Sequence, residues 1–236
     1  MHRPRPHPFR SSPSRPQARP SSQLLGQFLQ RAGITLNATG LEQLWHYHNL
    51  IRKRNDDRDL TRIVNFDAVV TKHYVDCLIV GKFITLASPL LDIGTGAGFP
   101  SVPLKIRYPH LEIIAAEHRP RRVEFLREVS RELGLSRFHV FEHKVVSQSF
   151  QRPVKAVITR ALETMDKTLL RTSACLGVGG LLYFMKGPNA DEELEVLGRR
   201  FAGHFRVIED RRYTLPGTTY DRRLVVVEKL VPVQKE

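Results

Sequence analysis

Cysteine, tryptophan and long apolar runs are scarce in this 236-residue sequence, which contains two cysteines and one tryptophan. Cys77 and Cys175 lie far apart in apolar neighbourhoods, so we expect two buried thiols and no disulfide framework. The ten histidines show no metal-ligand spacing, and no apolar run approaches the roughly 20 residues of a membrane span. These absences predict a cytoplasmic protein with no bound metal and no membrane partner.

Acidic residues are also few. The chain has 37 lysines and arginines against 24 aspartates and glutamates, a formal net charge of +13 at pH 7. Such a balance favours a polyanionic partner, most often nucleic acid. A basic surface that binds nothing is the alternative.

The first residues differ from the rest in composition. Residues 1–20 contain six prolines and five arginines but no acid, so we predict a disordered Arg/Pro-rich tail over 1–22. The tail lacks the apolar centre of a secretory signal. It either contacts RNA phosphates loosely or is a dispensable extension, and we favour the second interpretation.

Residues 23–85 are predicted to form an N-terminal helical region. Two apolar stripes at helical spacing, separated by "AGITLN", indicate two helices. His48 falls on the second stripe and is interpreted as a packed residue. A charged loop is expected at 52–61, followed by a helix through 68–83 that Asp67 caps.

Strand-like runs alternate with amphipathic stretches over residues 86–236. This alternation predicts an α/β domain with a doubly wound, mostly parallel sheet that ends in a hairpin. The predicted strands are 89–94, 110–117, 138–143, 154–159, 180–187, 205–215 and 221–230.

The first strand leads into "LLDIGTGAGFPSVP", residues 90–103, whose glycines let backbone N–H groups approach a ligand. Phe99 stands where a dinucleotide fingerprint needs its last glycine. The spacing of Gly94, Gly96 and Gly98 is typical of the S-adenosylmethionine loop of Rossmann-like methyltransferases; a turn of another α/β protein is the alternative. Glu117 follows about 20 residues later, where an acid can hold a ribose.

Five segments together resemble one family. They are "DLTRIVNFDAVVTKHYVDCLIV", "LLDIGTGAGFPSVPLKI", "RRVEFLREV", "TRAL" and "MKG", and the likeness runs over roughly residues 24–229. Each is similar to a motif of the bacterial 16S rRNA guanine-N7 methyltransferases, the glucose-inhibited division protein B family. The resemblance implies a class I methyltransferase with a seven-stranded, mostly parallel sheet and an N-terminal helical cap. It also implies methyl transfer from S-adenosylmethionine to N7 of a guanine.

The resemblance implies roles for individual residues. The glycine loop with Gly94, Gly96, Gly98 and Phe99 would line the cofactor pocket, and Glu117 would hold the ribose. Further implied positions are Val145 and Val146 at the adenine through backbone amides, Arg160 at the methionine end or substrate entrance, and His73, Asp76 and Lys186 near the RNA face.

Some positions depart from the family pattern. Ser101 replaces a glycine and Cys77 a serine, while Val146 replaces an acid near the adenine. Asp59 replaces an asparagine, and its carboxylate would need a cation such as Arg58 or Arg62. These departures leave the cofactor loop intact.

The implied chemistry needs no general base, because guanine N7 has a lone pair and no proton. Positioning alone can then supply much of the catalysis, and we assign no catalytic residue. The sequence lacks the Asn/Asp-Pro-Pro-Tyr element expected for methylation of an exocyclic amine. We expect a monomer that acts on 16S rRNA or the small ribosomal subunit. Alternatives are another RNA or a ribosomal protein as substrate, or a non-catalytic RNA-binding protein.

Overall fold

The computed structural model describes residues 19–146 and 149–231. The predicted tail lies outside the described residues up to position 18, and the first helix begins at Ser22. Within the described part of the chain, every helix is too short or too polar to cross a bilayer.

The helical region begins with α1 (Ser22–Arg31) and α2 (Ala38–Arg58). Ser21 and Asn37 cap them, each side-chain oxygen accepting a backbone N–H of the first turn. Next come α3 (Phe66–Val69), a π-helical segment (Val70–Val75), α4 (Asp76–Ile79) and a short 3-10 turn (Val80–Lys82).

Two expectations for this region are corrected. The predicted charged loop at 52–61 is helical as far as Arg58, because ion pairs dock this polar stretch on a neighbouring helix; Arg54 reaches Glu128 at 2.6 Å. The cap of the following helix is Asn65, whose Oδ1 accepts the Ala68 N–H at 3.0 Å, and not Asp67.

The elements that follow in the described chain are β1 (Leu90–Ile93), α5 (Ser101–Arg107), β2 (Ile113–Ala116), α6 (Pro120–Glu132), β3 (Phe138–Phe141), β4 (Val154–Arg160), α7 (Met165–Thr172), β5 (Leu176–Lys186), α8 (Asp191–Arg200), β6 (Phe205–Thr214) and β7 (Asp221–Lys229). These seven strands form one sheet in the order β3-β2-β1-β4-β5-β7-β6, in which β7 runs opposite to the other six. The predicted seven-stranded, mostly parallel sheet is therefore confirmed.

Both faces of the sheet are covered, and neighbouring strand residues point into different cores. Leu90 packs with the helical region, α5 and α6, whereas Leu91 packs with α7 and α8. The helical region thus shares one core with the sheet, as expected for a cap on it. His48 is buried there beside Trp45 and donates to or accepts from the Tyr74 hydroxyl, and both cysteines are buried as predicted.

Candidate active site

A cavity of about 340 Å³ opens at the carboxyl ends of β1, β2 and β4. The crossover after β1 leads to β2 on one side of it, and the crossover after β3 leads to β4 on its other side. This is therefore the switch point where open α/β sheets bind ligands. The lining residues are Ile93, Gly94, Ala116, Glu117, His118, Arg119, Arg122, His143, Lys144, Val145, Ala161, Leu162 and Arg171.

The glycine loop borders this cavity through Gly94. Its three glycines have φ values of +70°, +61° and +107°, which other residues adopt only with strain. A Cβ on Gly94 would lie 2.6 Å from Cδ1 of Leu162, so the absence of a side chain there keeps the cavity open.

A buried aspartate, Asp92, stabilises the loop through a hydrogen bond to the residue that begins α5. Asp92 Oδ2 accepts the backbone N–H of Ser101 at 3.1 Å, and the Ser101 hydroxyl contacts the Thr95 hydroxyl at 2.5 Å. Burial raises the pKa of Asp92 to about 6. Ser101, which departs from the family pattern, therefore ties the start of α5 to the loop.

Glu117 is placed to meet a polar ligand. Its side chain is 5% exposed, and Oε1 accepts the backbone N–H groups of His118 and Arg119 at 2.8 and 2.9 Å. Among the described residues, no group donates to Oε2. The carboxylate is thus held by its own turn, with one oxygen left for a hydroxyl donor.

The two valines after β3, Val145 and Val146, differ in their position relative to the cavity. Val145 is buried and lines the cavity, and its place beside the adenine stays a prediction. Val146 is 57% exposed and is not among the lining residues that the structure describes, and its N–H donates to the Ser149 hydroxyl at 2.8 Å. Its expected amide contact to adenine is therefore not supported, because that donor is already used.

Arg160 turns away from the cavity towards the helical region. Its Nη1 donates to the Lys72 carbonyl at 2.9 Å and to Asp76 Oδ2 at 3.0 Å, and its Nη2 donates to His73 Nδ1 at 3.0 Å. Asp76 is also paired with Arg222 at 3.1 Å. These bonds attach the guanidinium to the helical region, and Arg160 is not among the cavity-lining residues of the described chain. Its expected place at the methionine end of the cofactor or at the substrate entrance stays a prediction.

His73 and Phe99 belong to the same network. Because arginine can only donate, His73 Nδ1 accepts and its Nε2 donates to the Thr61 hydroxyl at 2.8 Å. Burial lowers the pKa of His73 to about 3, with a further contribution from the Arg160 charge. Phe99 stacks on the imidazole at 4.3 Å and packs inside this core rather than in the cavity. His73 is accordingly buried and neutral, with both ring nitrogens hydrogen-bonded. Its expected place near the RNA face stays a prediction that these contacts do not support.

Lys186 is likewise engaged. Its Nζ donates to the Glu163 carbonyl and pairs with Glu193, both at 2.8 Å, and its side chain is largely buried. It holds the segment after β4 against α8, so a direct RNA contact by Lys186 is not supported.

Gly96 and Gly98 shape the loop without appearing among the cavity-lining residues of the described chain.

Four cations of the described cavity lining were not predicted from the sequence. Arg119 and Arg122 lie at the start of α6, Lys144 follows β3, and Arg171 lies on α7. Only Arg119 and Arg122, in the "RPRRVEF" segment that begins two residues after Glu117, have a signal in the sequence, since a helix that begins just after a strand ending in an acid starts at the same edge of the sheet. Arg122 also donates to Asp59, which therefore has a cation different from the two expected.

Comparisons with known proteins identify the relatives of this chain. The family described as rRNA small subunit methyltransferase G (GidB) matches residues 40–211. A ribosomal RNA small subunit methyltransferase G 2 of Syntrophobacter fumaroxidans is 45% identical over 91% of this chain, which spans 43% of that relative's length. A protein of the same name from Bdellovibrio bacteriovorus is 38% identical, over 83% of this chain and 77% of its own length.

A solved structure supports the fold. The glycopeptide N-methyltransferase MtfA, complexed with S-adenosyl-L-homocysteine, matches with a TM-score of 0.56 at 13% identity, over 66% of this chain and 87% of its own. At this identity the likeness concerns the fold alone, which is that of the class I methyltransferases.

Proposed function

The chain belongs to the rRNA small subunit methyltransferase G family, and we propose from this premise that it methylates N7 of a guanine in 16S rRNA. The family match over residues 40–211 carries the proposal. The formal net charge of +13 supports a polyanionic substrate, free 16S rRNA or the assembled small subunit. We propose further that the enzyme is a cytoplasmic monomer.

S-adenosylmethionine fits the site as cofactor. The cavity combines a bared glycine loop with a buried carboxylate that keeps one oxygen free, which suits the adenosine hydroxyls. In the proposal Gly94 gives room at the floor, Glu117 holds the ribose and Val145 packs against the adenine. Residues 86–236 form the cofactor-binding domain, and residues 23–85 form its helical cap.

When bound, the cofactor would supply a methyl group on a positively charged sulfur. Guanine N7 has no proton to lose, so the chain need not remove one. What the chain's residues contribute is a fixed geometry: Asp92 and Ser101 brace the glycine loop, and the Arg160 network fixes the end of β4 beside it. Alignment of the reacting groups can supply several kcal/mol of catalysis, of order 7–11 in the best cases.

The test is to map N7-methylguanosine in 16S rRNA from cells with and without this protein, with complementation by variants. Glu117→Ala should abolish the modification because the ribose loses its acceptor. Glu142→Ala, a matched control, removes an exposed acid at the end of β3 and should restore the modification fully. An unchanged methylation pattern in cells lacking the protein would contradict the proposal.

A further inference from the structure

Four cations line the cavity, and they differ in how firmly they are held. Arg119 and Lys144 are exposed, and Arg171 pairs with Glu163 at 2.8 Å. Arg122 has a side chain only 19% exposed and is fixed from outside the cavity. A cation that is both partly buried and already positioned binds an anion with the smallest loss of side-chain entropy.

Asp59 supplies the fixing contacts. Arg122 Nε donates to the Asp59 backbone carbonyl at 3.1 Å. Its Nη2 donates to the same carbonyl at 2.5 Å and to Asp59 Oδ2 at 3.3 Å. Asp59 ends α2 with φ of +47°, so its carbonyl has a defined direction. One edge of the guanidinium is thereby attached to the helical region.

The other edge lies over the glycine loop. A Cβ built on Gly96 would lie 3.7 Å from Arg122 Nη1, and the glycine has φ of +61°. Nη1 is therefore next to bared backbone, in the cavity that Glu117 also lines. Within the described chain, no side chain accepts from Nη1.

We propose that Arg122 binds the carboxylate of the methionine part of S-adenosylmethionine. The inference rests on the proposed function, since it concerns the cofactor of that reaction. Glu117 repels a carboxylate and suits the ribose, which leaves the positively charged side of the glycine loop for the only anionic group of the cofactor. A guanidinium–carboxylate contact is charge-assisted and directional. Asp59 acts as a positioning residue for Arg122.

Two ligands separate this role from a structural one. S-adenosylhomocysteine carries the carboxylate, whereas 5'-methylthioadenosine shares the adenosine and thioether but lacks the amino-acid end. By calorimetry, Arg122→Ala should weaken S-adenosylhomocysteine about tenfold, equivalent to about 1.4 kcal/mol. The same variant should bind methylthioadenosine with wild-type affinity. Arg122→Lys should recover part of the loss, because lysine keeps the charge without the fork.

Matched controls define the other outcomes. Arg121→Ala removes the neighbouring arginine, which bonds the Asp57 carbonyl outside the cavity, and should leave both affinities unchanged. Asp59→Asn should cause a smaller loss with the same preference for the ligand. Equal weakening of both ligands by Arg122→Ala, or no weakening, would overturn the inference. If the wild-type chain bound neither ligand, the proposed function itself would fail, and the inference with it.

Discussion

Glu117 and Arg160 both lie at the carboxyl edge of the sheet, yet their side chains face different parts of the molecule. Glu117, directly after β2, is held by backbone N–H groups of its own turn and lines the cavity. Arg160, the last residue of β4, is bonded to Lys72, His73 and Asp76 of the helical region. The helical region packs over the Arg160 side chain, whereas Glu117 lines the cavity together with Ala161 and Leu162, which follow β4. A residue at the carboxyl end of a strand is therefore a candidate for ligand binding. The structure packed beside it determines whether its side chain faces the cavity or the core.

The glycine loop extends from the cavity, the open region that Gly94 lines, to the core beneath the helical region, the covered region where Gly98 lies. Alanine should therefore have very different effects on stability at these two glycines. A Cβ on Gly98 would lie 2.6 Å from Val102 Cγ2 and 2.9 Å from the Tyr47 hydroxyl, both buried in the covered region. With φ of +107° as additional strain, Gly98→Ala should lower the free energy of unfolding by about 4 kcal/mol. Urea denaturation measures this loss.

Gly94→Ala is the comparison on the open side. The atoms nearest to its Cβ would belong to the Leu162 side chain, which is 40% exposed and can move. We expect a stability loss of about 1 kcal/mol from the positive φ together with weaker cofactor binding. Equal losses of stability in the two variants would show that the loop is not divided in this way.

The sequence predicts the open region better than the covered one. Gly94 and Glu117 could be placed at the cavity because their signals are local in the sequence: glycines directly after a strand, and an acid at the end of the next strand. The direction of Arg160 could not be found this way, since its partner Asp76 is 84 residues distant, and Asp76 reaches Arg222 across 146 residues. The helical course of α2 beyond Ile51 was missed for a similar reason, because ion pairs with α6 replace the apolar stripe.

Removal of Arg160 tests the covered region directly. Asp76 is 4% exposed and would keep only Arg222 as its ionic partner, while His73 would lose its donor. Arg160→Ala should therefore cost about 3 kcal/mol of stability, as for other broken buried pairs. Thermal and urea unfolding measure the loss, and a double-mutant cycle with Asp76→Asn should reveal coupling between the two residues. A variant of wild-type stability with weakened cofactor binding would return Arg160 to the cavity.

Stability should also depend on pH, through buried histidines of the covered region. Burial lowers the pKa of His73 to about 3 and that of His48 to about 4, with the charges of Arg160 and Arg52 as lesser causes. An unfolded chain takes up these protons near pH 6.5, whereas the folded chain does not, so stability is lost as the pH falls. Between pH 7 and 5 each histidine should account for about 2 kcal/mol.

Asp92 on β1 opposes this loss. Burial raises its pKa to about 6, so the folded chain binds this proton more readily than the unfolded chain. Lowering the pH from 7 to 5 therefore stabilises the folded state by about 1 kcal/mol through Asp92. The net result is a fall in stability from pH 7 to 5, measured by urea denaturation at both values. His73→Gln should remove about 2 kcal/mol of that fall. His46→Gln, which changes an exposed histidine of the same helical region, should leave it unchanged. If both variants kept the full pH dependence, protonation of buried His73 would not be its cause, and the neutral imidazole assigned between Thr61 and Arg160 would be wrong.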